Sequence, residues 1–117
     1  MAEGTGTIDR ATFEDLKTTA GADFVRELVE TFLEDAPHML GDLRAALATN
    51  DAERFRRTAH SLKSNGNTFG ATSLAAMAKS IELGGIGPVR EAGGKPLDAL
   101  EQEYARVAQA LTELKRA

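Results

Sequence analysis

Apolar residues recur along most of this chain at spacings of three and four. Phe24, Leu28, Phe32, Ala36, Leu40, Leu43 and Leu47 form the longest such series. An α-helix puts residues at those spacings on one face, so the series predicts a long amphipathic helix. Pro37 falls inside it, removes one backbone donor, and is expected to bend the helix without ending the pattern. Asn50 closes this helix and Asp51 is suited to cap the next. There Phe55, Ala59, Leu62, Gly66 and Phe69 form a second seam, until Gly70 breaks it. A further helix from about Ala71 carries Leu74, Met77, Ala78 and Ile81. A last one carries Leu97, Leu100, Tyr104, Val107, Leu111 and Leu114, with Pro96 in its first turn. Upstream, Asp9 can cap a short helix holding Phe13 and Leu16, which Gly21 ends.

The remaining segments are punctuated differently. Residues 84–95 contain Gly84, Gly85, Gly87, Pro88, Gly93 and Gly94, and predict a flexible loop. Residues 1–7 are expected to be a disordered lead-in. Four long amphipathic helices bury their stripes most simply against one another. The expected fold is therefore all-α: an antiparallel up-down four-helix bundle, with the short first helix capping one end. Residues 8–117 are expected to form a single domain, and no internal repeat is visible.

Composition narrows the function. The chain has 117 residues, with 14 Lys+Arg against 18 Asp+Glu, a formal net charge of −4. That mild acidity argues against nucleic-acid binding, which favours a strong basic excess. The absence of Cys excludes disulfides, thiolate chemistry and iron–sulfur clusters. No apolar run approaches the roughly 20 residues that a membrane-spanning helix needs. The first residues lack the basic and apolar regions of a signal peptide, so a cytoplasmic protein is expected, and a monomer.

The informative chemistry lies around His60. A helix turns about 100° per residue, which places Arg56 about −40°, Lys63 about −60°, Ser64 about +40° and Asn67 about −20° from it. These five residues share one face, while Ala59 and Leu62 point toward the bundle. His60 is thus expected to face water, among basic and small polar side chains. A nearby ammonium disfavours the imidazolium and keeps a ring nitrogen available for attack. The same ammonium can hydrogen-bond an incoming phosphoryl group. Small neighbours leave room for a second protein to approach.

The segment Ala59-His60-Ser61-Leu62-Lys63-Ser64, with Gly70 ten residues after the histidine and Ile81-Glu82 on the following helix, resembles a known family. It is similar to the histidine-containing phosphotransfer domains of two-component phosphorelays, whose pattern is Ala-His-x-Leu-Lys-Gly with that downstream glycine. The resemblance extends to the Phe-rich second helix with its internal Pro37 and to the Asp51 start of the third. It implies that His60 accepts a phosphoryl group from an aspartyl-phosphate receiver domain and passes it to another receiver. Lys63 would then stabilise the phosphoryl group. Response-regulator receivers, and a hybrid sensor histidine kinase, would be the partners. Arg56, Ser64, Asn67 and Glu82 become candidate partner-binding residues. The chain would be a phosphate carrier rather than an independent enzyme, with Mg²⁺ and acid residues supplied by the receiver. Two positions depart from the pattern. Ser64 stands where the family usually has Gly, and Glu82 falls where some members place a Gln that bonds the imidazole. A carboxylate that close would favour a protonated ring and repel a phosphoryl group.

Other readings are weaker. His38 lacks comparable neighbours and is expected to be ordinary surface. A di-metal bundle needs Glu-x-x-His pairs on two helices, but Arg57 stands where His60 would need its carboxylate, so no metal site is expected. A phosphate-binding loop needs Gly-x-x-x-x-Gly-Lys-Ser/Thr, yet Val89 and Pro96 occupy two of those positions around Gly94-Lys95. No cofactor is expected. Arg54, Arg56 and Arg57 read as solvated helix surface. The alternative function is an interaction bundle that docks a signalling partner without carrying phosphate.

Overall fold

The computed structural model describes residues 7–116, so residues 1–6 of the expected lead-in lie outside the described part. Six helices and no strand occur among the described residues: α1 (Arg10–Ala20), α2 (Ala22–Thr49), α3 (Ala52–Phe69), α4 (Thr72–Gly84), α5 (Ile86–Glu91) and α6 (Lys95–Arg116). Together they form a helical bundle around one apolar core, in which Phe13, Phe55, Leu43, Leu62, Leu74, Leu97, Leu100 and Leu111 are buried. Among the described residues no helix is long and apolar enough to cross a membrane.

Local chemistry sets most helix ends. The Asp9 carboxylate accepts from Ala11 N at 3.1 Å, and that of Asp51 from Arg54 N at 3.1 Å. Each satisfies a backbone donor that has no partner within its helix. Asn50 ends α2 in the left-handed conformation, with φ of 56°. The helix α2 continues through Pro37. A proline there leaves the Leu33 carbonyl without its usual donor, and the Tyr104 hydroxyl of α6 donates to that oxygen over a long 3.5 Å. Burial raises the Tyr104 pKa. Its ring also meets Phe32 edge-on, with centroids 5.8 Å apart.

Two glycines let other parts of the chain pack closely on the site-bearing helix α3. A Cβ on Gly66 would lie 3.3 Å from the Ala75 Cβ and 3.4 Å from the Ala75 backbone nitrogen. That absence of a side chain lets α3 and α4 approach closely, at the helix cost of a buried glycine. Gly70, with φ of +80°, ends α3 and receives a hydrogen bond from Asp9 N at 2.7 Å. A Cβ there would sit 2.9 Å from the Asp9 carbonyl oxygen. The glycine ten residues after His60 therefore serves both a left-handed turn and a tight contact with the start of α1.

Two expectations need correction. Phe24 was expected on the inward stripe of α2, but it is 52% exposed, and Val25 and Val29 are buried instead. The helix α1 packs against α2, where Phe13 lies beside Val25 and Val29, so the buried face shifts by one residue in the first turns and returns to the expected stripe at Phe32. Residues 84–95 are not a flexible loop throughout, since Ile86–Glu91 is helical and Val89 is buried. Its glycines lie mainly at the chain reversals, where Gly85, Gly93 and Gly94 take positive φ. Pro88 falls in the first turn, where its missing donor costs nothing.

Candidate functional site

His60 stands in the middle of α3 with 54% of its side chain exposed. The close packing of α3 on α4 brings Glu82 across to it. The imidazole Nδ1 and Glu82 Oε2 are 2.8 Å apart. Because a carboxylate only accepts, this contact assigns the proton to Nδ1. In the neutral ring Nε2 then carries the free lone pair, and it has no hydrogen-bond partner among the described residues. Lys63, one turn along α3, places Nζ 3.1 Å from the other Glu82 oxygen. Only 11% of the Glu82 side chain and 23% of that of Lys63 are exposed. The hydrogen bonds from His60 and Lys63 hold the Glu82 carboxyl below its ordinary pKa, against the opposing effect of desolvation.

One carboxylate thus holds two nitrogen groups on the neighbouring helix. It fixes the imidazole ring and its tautomer, and it keeps Lys63 beside the ring. The remaining valence, at Nε2, is the part available for chemistry. The carboxylate partner of the imidazole is supplied by tertiary packing, since Glu82 lies 22 positions away in sequence.

The other candidates are placed differently. Ser64 and Asn67 are exposed on the His60 side of α3 and make no side-chain hydrogen bond to the ring. The Ser64 carbonyl accepts from Thr68 Oγ1 at 3.1 Å. Arg56 is turned away from the site's chemistry by Glu53, whose carboxylate its guanidinium meets at 2.8 Å. Arg54 is not merely solvated; it bridges to Asp42 of α2 at 2.7 Å. His38 is exposed. No cluster of three metal-ligating side chains occurs among the described residues.

This geometry, an open imidazole nitrogen on a helical bundle with a lysine one turn away, sits within a region that matches the family model of the Hpt domain over residues 27–117. The chain belongs to that family. A solved structure, described as the histidine-containing phosphotransfer protein B (HptB) from Pseudomonas aeruginosa PAO1, is similar to it along nearly its whole length. That likeness has a TM-score of 0.83 and 29% sequence identity, and it covers 95% of each chain. No curated protein matches the chain.

Proposed function

We propose that this protein is a phosphorelay carrier whose His60 accepts a phosphoryl group from the aspartyl phosphate of a receiver domain and returns it to another receiver. The observation that supports this best is the exposed His60 ring, anchored through Nδ1 by Glu82 so that Nε2 is open. The Nε2 lone pair attacks phosphorus, the phosphorus–oxygen bond to the aspartate breaks, and the carboxylate is regenerated. The proton stays on Nδ1, so positive charge develops on the ring as the new bond forms. Glu82 faces that charge and stabilises it, as an acid–imidazole pair does in other nucleophilic sites. Lys63 is close enough to turn from Glu82 toward the phosphoryl oxygens. The receiver supplies Mg²⁺ and the acid residues.

Glu82 also answers the concern that a carboxylate would repel the phosphoryl group. It lies on the Nδ1 side of the ring, and Lys63 offsets its charge. Ser64 and Asn67 would flank the incoming receiver, with Arg56 at the margin. We assign residues 8–117 to one domain, in which α2, α3, α4 and α6 run antiparallel and α1 caps an end. The order of cross-helix pairs favours this: Leu33 with Tyr104 and Arg44 with Glu101 run in opposite directions along α2 and α6. Monomeric, cytoplasmic carriage of phosphate completes the proposal.

The test is incubation with receiver domains phosphorylated by a small phosphodonor. Acid-labile, base-stable label on His60 is expected. Stable docking of a receiver with no label transferred would instead identify a non-phosphorylated interaction bundle.

A further inference from the structure

The outward face of α4 bears a lysine, Lys79, that the phosphoacceptor chemistry does not use. Between α3 and α4 runs a solvent-open groove of about 440 Å³, lined by Lys63, Asn67, Thr72, Ala75, Ala76 and Lys79. It contains two lysines and no carboxylate, on a chain whose net charge is −4. Lys63 is engaged with Glu82. Lys79 has no ion pair or hydrogen bond among the described residues, so its charge is available. The alanines leave the space between the two ammonium groups unfilled by longer side chains.

An exposed apolar residue lies one turn beyond Lys79 on α4. Lys79 and Leu83 are four residues apart, about 40° around the helix, and so share a face. Leu83 is 72% exposed, more than any other large apolar side chain described. It adjoins Glu82, which touches the His60 ring. The free lysine of the groove and the uncovered leucine thus share one face of α4, the helix that also carries Glu82 to His60.

We propose that this α4 face is a second docking element for the receiver, and that it selects among receivers. An acidic side chain beside the partner's phosphoaspartate would enter the groove between Lys63 and Lys79, while an apolar side chain covers Leu83. The inference rests on the carrier reading above. Charge complementarity identifies the occupant: a donor that brings phosphate to His60 must carry an acidic surface alongside α4. Such rim charges act chiefly on encounter rate and partner choice, and salt screens them.

The test uses the full chain with a panel of phosphorylated receivers, choosing the one that labels it fastest. Lys79→Glu and Leu83→Glu are compared with Lys95→Glu, which makes the same charge change as Lys79→Glu at the exposed start of α6. The Lys79→Glu variant should lower kcat/KM for transfer by about three- to tenfold, mainly through KM, and flatten its salt dependence. Leu83→Glu should act in the same direction, and Lys95→Glu should leave transfer unchanged. All three sites are exposed, and circular dichroism should match the unaltered protein. A different ranking of receivers by Lys79→Glu would further support selection. Equal kinetics and salt dependence for Lys79→Glu, Leu83→Glu and the unaltered protein overturn this docking element while leaving the carrier intact. Failure of every receiver to label the unaltered protein overturns the carrier reading, and this inference with it.

Discussion

Arg44 of α2 reaches two carboxylates of α6, whereas Glu82 of α4 reaches two nitrogen groups of α3. The two clusters use similar side chains to opposite effect. The Arg44 guanidinium bonds both oxygens of Glu101, at 2.9 and 3.0 Å, and also Asp98. Those hydrogen bonds, first Glu101 and then Asp98, raise the Arg44 pKa further above its already high value. Its donors are directed into fixed acceptors, so the cluster ties two helices together. The Glu82 cluster has one carboxylate for two nitrogen groups, and the imidazole keeps Nε2 outside the network. Position alone does not separate a fastening from a reactive site. The distinguishing feature is which atom remains without a partner, and whether solvent or another protein can reach it.

The strongest way to break this contrast is His60→Gln. Phosphoryl acceptance should vanish, because the amide has no nucleophilic nitrogen. Gln can still donate to Glu82, and exposed substitutions usually change stability by less than about 0.5 kcal/mol, so the melting temperature should hold. Label mapped to His38 in this variant would dismiss the assignment. Ser64→Tyr comes next. A bulky side chain one turn from His60 should obstruct the approach to within about 3–3.5 Å that attack requires, and slow transfer by roughly a hundredfold or more. Ser64→Gly should transfer about as fast as the unaltered protein, at a helix cost of only about 0.5 kcal/mol. Equal rates for Ser64→Tyr and the unaltered chain would move the docking face elsewhere.

The effect of Lys63→Ala should be smaller. Losing one charge-assisted contact of about 1.5–3 kcal/mol corresponds to about 10- to 100-fold slower transfer. Unchanged rates with several receivers would make Lys63 a spectator. Glu82→Gln should slow transfer by about tenfold, the loss of one such contact to the developing charge. It also has a pH signature. The folded-state carboxyl is lowered relative to the unfolded chain, so its stabilisation is complete above the ordinary carboxylate range. That stabilisation is lost as pH falls through the lowered folded value. Melting temperatures of Glu82→Gln and the unaltered protein should therefore differ at neutral pH and converge in acid. Parallel melting curves at every pH would contradict the coupling.

The least effect on function is expected from Arg44→Ala. Transfer rates should not change, since the cluster serves α2 and α6 rather than His60. The stability loss should be about 1 kcal/mol or less, because its side chain is 38% exposed and solvent screens the pairs. Slower phosphotransfer in a folded Arg44→Ala variant would show that the two clusters are linked.

Within α3, and at most helix caps, the sequence was sufficient. The 3.6-residue turn determines that His60, Lys63, Ser64 and Asn67 share a side of α3, and that Phe55, Ala59, Leu62, Gly66 and Phe69 face inward. Asp9, Asn50, Asp51 and Gly70 marked helix ends because their capping chemistry is local. Relations across helices were decided by packing. The sequence placed Glu82 near the motif but left open whether it touched the ring; the close approach at Gly66 and Ala75 brings it there. The presence of α1 buries Val25 and Val29 in preference to Phe24. Val89 orders a helix where glycine content suggested a loop, and Glu53 takes the Arg56 side chain that the helical angle alone aimed at His60. Periodicity specifies which residues are neighbours along one helix. Only the packed bundle specifies what each face meets, because that depends on the depth and rotation at which whole helices come to rest.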